Sequence, residues 1–310
     1  RRLCVRAGID AGWVACAAIS AACLAAVLAA APNLYQSVLW QTGLITYFVP
    51  LILMTAHAGW LAGRSAPGPG RRLPGLLAGF MIPFIAGGFS ETFVSVQTVG
   101  IAAALGAAVL LRRGESRRRI TPLLLSGLLG SLLALAIVAL APGNAARAGL
   151  MPEPPGLGLL LQRTWQDTYV FGARMVRGQP LSLAAPFAAA FAVTLAGLPG
   201  EPPMGRERWR AAWRWCIGGG AAGLGALGMI AAAMAPSEYA LSSYPDGRIV
   251  FTAVYVIVLA AALGGAILGR VTRLLLPEPS ARLAGALSLL AAMALVTGVA
   301  LGAVRSGRGI

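Results

Sequence analysis

The chain has no lysine, a single histidine and only ten acidic residues among 310. Each shortage excludes something. One histidine (His57) and four cysteines without a Cys-x-x-Cys pair leave no donor set for a zinc site. Charged residues make up 11%, against about 25% in soluble domains, so an ordinary water-facing surface is excluded. The acidic residues form no series across the apolar stretches, which argues against a proton pump or ion channel. Cys16 and Cys23 sit seven apart on one apolar stretch and read as small buried side chains.

What is abundant is apolar length. Hydrophobic residues reach 58% and the mean hydropathy is +0.76. A bilayer core needs roughly 20 mostly apolar residues per helix. The pattern predicts spans at 11–31, 43–63, 75–90, 92–111, 121–141, 181–198, 216–235, 249–269 and 283–304. The expected fold is all-α: a polytopic transmembrane helical bundle of about nine spans, forming one integral membrane domain over 1–310. Pro83 and the pair Gly87-Gly88 predict a third span that is kinked or reaches only partway, and Pro50 predicts a kink in the second. The chain opens Arg-Arg-Leu-Cys and closes Ser-Gly-Arg-Gly-Ile, and is expected to be part of a longer protein.

The net charge of +15 and the isoelectric point near 11.3 come from arginine alone. No nucleic-acid partner is expected, because these arginines sit in short loops beside apolar spans rather than in one patch. About 18 of the 25 fall on one side of the expected membrane, which makes that side and the N-terminus cytoplasmic. Absent lysine with abundant Ala, Leu and Gly points to a GC-rich bacterial genome, hence a bacterial plasma (inner) membrane. Trp209, Trp213 and Trp215 among Arg208, Arg210 and Arg214 read as an interfacial helix with an aromatic belt. Gly219 and Gly223 start a small-residue packing face. His57 reads as a helix–helix hydrogen-bonding residue.

The remaining polar residues gather on the other, external side. Glu91 lies in the tight turn between the third and fourth spans, among Ser90, Thr92, Ser95 and Gln97. Asn144 and Arg147 follow the fifth span; Glu238, Tyr239, Tyr244, Asp246 and Arg248 lie between the seventh and eighth. The long loop 142–180 is expected to carry an amphipathic helix over 157–177 in the membrane interface. Leu157, Leu160, Leu161, Trp165 and Val176 share its apolar side, and Arg163, Asp167, Arg174 and Arg177 its polar side. Asp167 can pair with Arg163 one turn away. Two readings stay open: a surface helix that satisfies its own charges, or a lid presenting arginines to an anionic headgroup.

Four stretches carry a resemblance: Trp40-Gln41-Thr42-Gly43 followed by Tyr47; Gly87-Gly88-Phe89-Ser90-Glu91-Thr92; Ala141-Pro142-Gly143-Asn144-Ala145-Ala146-Arg147; and Tyr244-Pro245-Asp246-Gly247-Arg248. Together they resemble an uncharacterised family of bacterial multi-pass membrane proteins that looks related to the GT-C superfamily of glycosyltransferases. The resemblance implies a lipid-linked sugar donor, a polyprenyl phosphate sugar, and transfer on the outer face of the plasma membrane. In that superfamily an acidic residue of the first external loop commonly serves as general base; residues 32–42 hold none. The base candidates here are therefore Glu91, then Asp246 and Asp167. Arg147, Arg248 and Arg163 are the phosphate candidates, and Asn144 and Gln97 are candidates for sugar hydroxyls. No metal or other cofactor is expected, with a divalent cation left open. Expected partners are membrane lipids, the donor and other membrane subunits. The main rival is a non-catalytic accessory subunit of a larger membrane complex. A transporter ranks behind it, since no inverted repeat is visible and charges cluster at span ends.

Overall fold

A computed structural model describes residues 13–64, 72–112, 114–143, 149, 151, 153–196, 205–276 and the single positions 286, 293, 296 and 298. Among them there is no strand, and nearly every residue is helical. The helices are α1 (Trp13–Ala29), α2 (Gln41–Arg64), α3 (Arg72–Gly87), α4 (Glu91–Leu111), α5 (Gly114–Ala139), α6 (Leu157–Gly178), α7 (Pro180–Ala196), α8 (Arg206–Leu241) and α9 (Gly247–Leu275). The entrance to α2 is widened into π-helical turns at Tyr35–Leu39 and Leu44–Phe48.

Five helices are long and apolar enough to cross a membrane: α2, α4, α5, α8 and α9. The pair α6 and α7 passes the same test only if joined across its sharp bend, which would make a sixth. Two further apolar helices are shorter, at Cys16–Ala29 and Leu73–Gly87. The multi-pass helical character expected from the sequence is therefore present. The count of nine is not reproduced by length and composition, because the first and third stretches are short and α7 is joined to a bent partner. The expected span at 283–304 lies almost wholly outside the described residues.

The chain divides into two compact units. One comprises Ala31–Gly172 and Leu224–Ala253. Its centre is the pair α3 and α5, which approach backbone to backbone. A Cβ added at Gly127 would lie 3.2 Å from the Gly79 carbonyl oxygen, and one added at Gly130 would overlap the Phe80 carbonyl oxygen. Small residues permit this approach, and in hydrocarbon such packing replaces the hydrophobic effect as the attraction between helices. Ser126 Oγ donates to the Leu76 carbonyl oxygen across the same seam (2.6 Å). α4 is tied in by one amide: Gln97 Nε2 donates to the Pro83 carbonyl oxygen (2.7 Å) and to Ser131 Oγ (3.0 Å). Thr98 Oγ1 shares a hydrogen bond with that same Ser131 hydroxyl (2.8 Å). The second half of α8 joins through Gly225 against Ala103 and Gly228 against Val99.

The other unit comprises Arg1–Ala30, Ala173–Gly223 and Val254–Ile310, of which the described parts belong to α1, α7 and portions of α6, α8 and α9. α1 packs on α7 through the small buried pair Ala22 and Ala189. α7 meets α9 closely: a Cβ at Gly265 would overlap the Phe187 carbonyl oxygen. The first half of α8 meets α9 at Gly219 and Ile267.

Gly130→Ala is expected to destabilise the protein by about 1–3 kcal/mol through overpacking at a backbone contact. Gly106→Ala, where an added Cβ meets nothing within 4 Å, should leave stability unchanged or slightly raised. Thermal unfolding of both variants in detergent checks the contrast.

Candidate functional site

Helix α6 follows the limits expected for the amphipathic helix, and several of its large apolar side chains face outward. Leu157, Leu161, Trp165 and Tyr169 are exposed, at 60% or more each. Thr164 and Thr168 are buried, and Arg163 and Asp167 are partly so. Phe171 and Met175 are buried with them, and Gln162, Gln166, Arg174 and Arg177 are exposed, so each side of α6 mixes polar and apolar side chains, and its exposed leucines and aromatics suit a membrane interface. Thr168 Oγ1 satisfies itself on the Thr164 carbonyl oxygen (2.7 Å), whereas Thr164 Oγ1 is buried without a hydrogen-bond partner.

The polar face of α6 meets Glu238, in the last turn of α8. Arg163 Nη1 stands 3.9 Å from Glu238 Oε2, and the Glu238 side chain is only 5% exposed. The Asp167 carboxyl lies within hydrogen-bonding reach of the Glu238 carboxyl. The sequence suggests an Arg163–Asp167 pair along one helix; in the structure Arg163 turns to Glu238 instead. Asp167 Oδ2 and Glu238 Oε2 are each buried with no donor.

Three penalties fall on this pair. Burial disfavours a bare carboxylate. Two carboxylates in contact repel. The carbonyl end of α8 adds partial negative charge where Glu238 sits. A single guanidinium at ion-pair distance offsets one negative charge, not two. A hydrogen bond between two carboxyls requires a proton on one of them, the arrangement that acid–base sites exploit.

The backbone beside the pair is strained. Ser242, whose N–H bonds the Glu238 carbonyl oxygen (3.1 Å), has φ +50 and so lies in the left-handed region. That conformation ends α8 and turns the chain toward α9.

A second polar group stands at the start of α9. Asp246 Oδ1 accepts from the Gly247 N–H (2.6 Å), its carbonyl accepts from Ile249 and Val250 N–H, and its Oδ2 lies 3.2 Å from Arg248 Nε. Asp246 thus caps the helix and holds Arg248. The Tyr47 phenol feels both charges, and a Cβ at Gly247 would approach Pro32 and Asn33. Two of the stretches quoted above, Trp40–Tyr47 and Tyr244–Arg248, therefore meet in space.

The other sequence candidates are placed differently. Glu91 opens α4 directly after the extended Ser90 and is partly exposed, where the amide end of a helix favours a negative charge. Gln97 is 2% exposed and both its donor bonds go to α3 and α5; its amide works as a helix clamp. Asn144 and Arg147 lie outside the described residues. His57 is buried against Trp60, ring centroids 5.8 Å apart, with Nε2 unpartnered.

Glu238 was not among the sequence candidates. Its signal was present: an acidic residue closing an apolar run, two positions after Pro236, where the helix dipole opposes it. For a divalent cation, Asp167 and Glu238 supply two carboxylates, fewer than an all-protein site takes. Among the described residues no group of three His, Cys, Asp or Glu stands together. Comparison with protein-family models, with curated proteins and with solved structures returned no match.

Glu238→Gln gives the pair a permanent donor and removes one charge, so it should keep or raise thermal stability. Arg163→Gln should lower stability by about 1–3 kcal/mol, because it strands the buried acids. Unfolding midpoints at neutral pH check both. Ser242→Gly should stabilise by about 1 kcal/mol by relieving the left-handed turn, read in the same measurement.

Proposed function

We propose that this chain is a GT-C-like membrane glycosyltransferase that uses a polyprenyl phosphate sugar on the external face of a bacterial plasma membrane. The observation that carries the reading is the Arg163–Glu238–Asp167 cluster beside an amphipathic helix that exposes Leu157, Leu161, Trp165 and Tyr169. A donor with a polyprenyl tail and an anionic headgroup matches those two features. One carboxylate of the pair takes the proton of the acceptor hydroxyl. The acceptor oxygen then forms a bond to the anomeric carbon as the carbon–oxygen bond to phosphate breaks. Polyprenyl phosphate leaves with the electron pair, and Arg163 stabilises its developing charge. Arg248, held by Asp246, is a second phosphate contact. Glu91 stays a candidate base at the neighbouring helix start, with Asn144 and Arg147 as candidate sugar and phosphate contacts.

The test is release of polyprenyl phosphate by the full chain in nanodiscs, supplied with polyprenyl phosphate sugars and mixed acceptors. Asp167→Asn and Glu238→Gln should each cut turnover by about 10²–10⁴-fold while leaving folded protein. Loss confined to Glu91→Gln would move the base to Glu91. The buried contact of two carboxyls also favours a second reading, proton-coupled transport. No release of polyprenyl phosphate together with pH-driven uptake in proteoliposomes would select it. Absence of both activities would leave the accessory subunit of a larger membrane complex.

A further inference from the structure

One turn of α6 and the last turn of α8 hold three buried oxygens without a hydrogen-bond partner: Thr164 Oγ1, Asp167 Oδ2 and Glu238 Oε2. Thr164 is 8% exposed and Glu238 4%. Arg163 and Asp167 both reach Glu238, so the turn between them faces the end of α8. Thr164 lies within that turn, three residues before Asp167, a spacing that sets the two Cβ atoms about 5–6 Å apart.

The Thr164 hydroxyl is unusual in this chain. Other helical threonines satisfy themselves on the carbonyl one turn back: Thr55 on Leu51, Thr98 on Val94, Thr168 on Thr164 and Thr194 on Ala190. Thr164 does not use the equivalent Leu160 carbonyl, and it does not donate to Asp167 Oδ2 either. A buried hydroxyl and a buried carboxylate oxygen on neighbouring positions thus stand unbonded, which is costly unless a third body joins them.

Charge decides what that body is. Two carboxylates against one guanidinium leave one negative charge, and the carbonyl end of α8 adds to it. A proton neutralises that charge but bridges only two oxygens, and Thr164 stays unsatisfied. A monovalent cation neutralises it and takes all three oxygens as ligands. A divalent ion would leave a net positive charge in a buried setting and asks for more ligands than stand here. Oxygens at the C-terminal ends of membrane helices are known surroundings for sodium. The Arg163 side chain is 37% exposed, so the cluster borders a surface from which an ion can enter.

We propose that Thr164, Asp167 and Glu238 form a binding site for one sodium ion, with Arg163 balancing the second carboxylate. Sodium and the proton of the carboxyl–carboxyl hydrogen bond are then alternative occupants. The site stands without the transferase reading, since neither donor nor acceptor takes part in it.

The test uses the full chain in a neutral detergent at slightly alkaline pH, with thermal unfolding read in sodium, choline or calcium chloride at equal ionic strength. Sodium should raise the midpoint by several degrees over choline. Asp167→Asn should lose that increment, and Thr164→Val should need severalfold more sodium to reach it. Glu115→Gln, which breaks an exposed pair with Arg119, should keep it. Equal midpoints in sodium and choline, an increment that survives Asp167→Asn, or an unchanged sodium requirement in Thr164→Val would overturn the site. A larger rise in calcium than in sodium would overturn the assignment to a monovalent ion. Should Asp167→Asn fail to fold, equilibrium binding of radioactive sodium to the unaltered chain decides. Saturable binding of one ion per chain supports the site, and no saturable binding overturns it.

Discussion

Hydrocarbon offers no hydrogen bonds and no hydrophobic effect between helices, and the architecture follows from those two deprivations. The first forces every backbone group in the apolar stretches into a helix. The second leaves close contact and interhelical hydrogen bonds as the attractions between helices. Glycine therefore appears where backbones touch: Gly127 and Gly130 between α3 and α5, Gly265 between α7 and α9. Where a helix is not held that closely, a polar side chain supplies the link, as Gln97 does for α4. In water these bonds would compete with solvent; here the alternative to each is an unsatisfied group.

The same deprivation gives meaning to the polar groups left over. Gln97, Thr98, Ser126 and Ser131 all find partners in their neighbours and need no further explanation. The Asp167 and Glu238 carboxyls do not: burial, like charge and the end of α8 all act against them, and Arg163 offsets only part. Such an arrangement persists when something other than stability maintains it.

The helices were largely legible in the sequence. The expected amphipathic segment 157–177 matches α6, Leu157–Gly178, because a mixed polar and apolar period cannot be a span. Glu91 opens α4 as its turn residues imply. Pairing was not legible. Gln97 reads as a polar residue near an external turn, yet its register on α4 points it at Pro83 and Ser131. Glu238 reads as loop, because the apolar run of α8 ends earlier than the helix itself; the helix continues through Pro236 to Leu241. The Arg163–Asp167 spacing suggests a self-contained pair, and only the approach of α8 redirects the arginine.

The outward leucines and aromatics of α6 carry a mechanical consequence. Its Arg163 meets Glu238 in a single ion pair at 3.9 Å, while Leu157, Leu161, Trp165 and Tyr169 stand exposed on its outer side. Buried Phe171 and Met175 seat the helix from within, and in a bilayer lipid would cover that outer side. The leaflet therefore acts as a wall of the site, and its lateral pressure and chain packing set how tightly the carboxyl pair is closed. Detergents differ from bilayers in that pressure, so the same polypeptide holds its acids in a looser cleft once extracted than it does in a membrane.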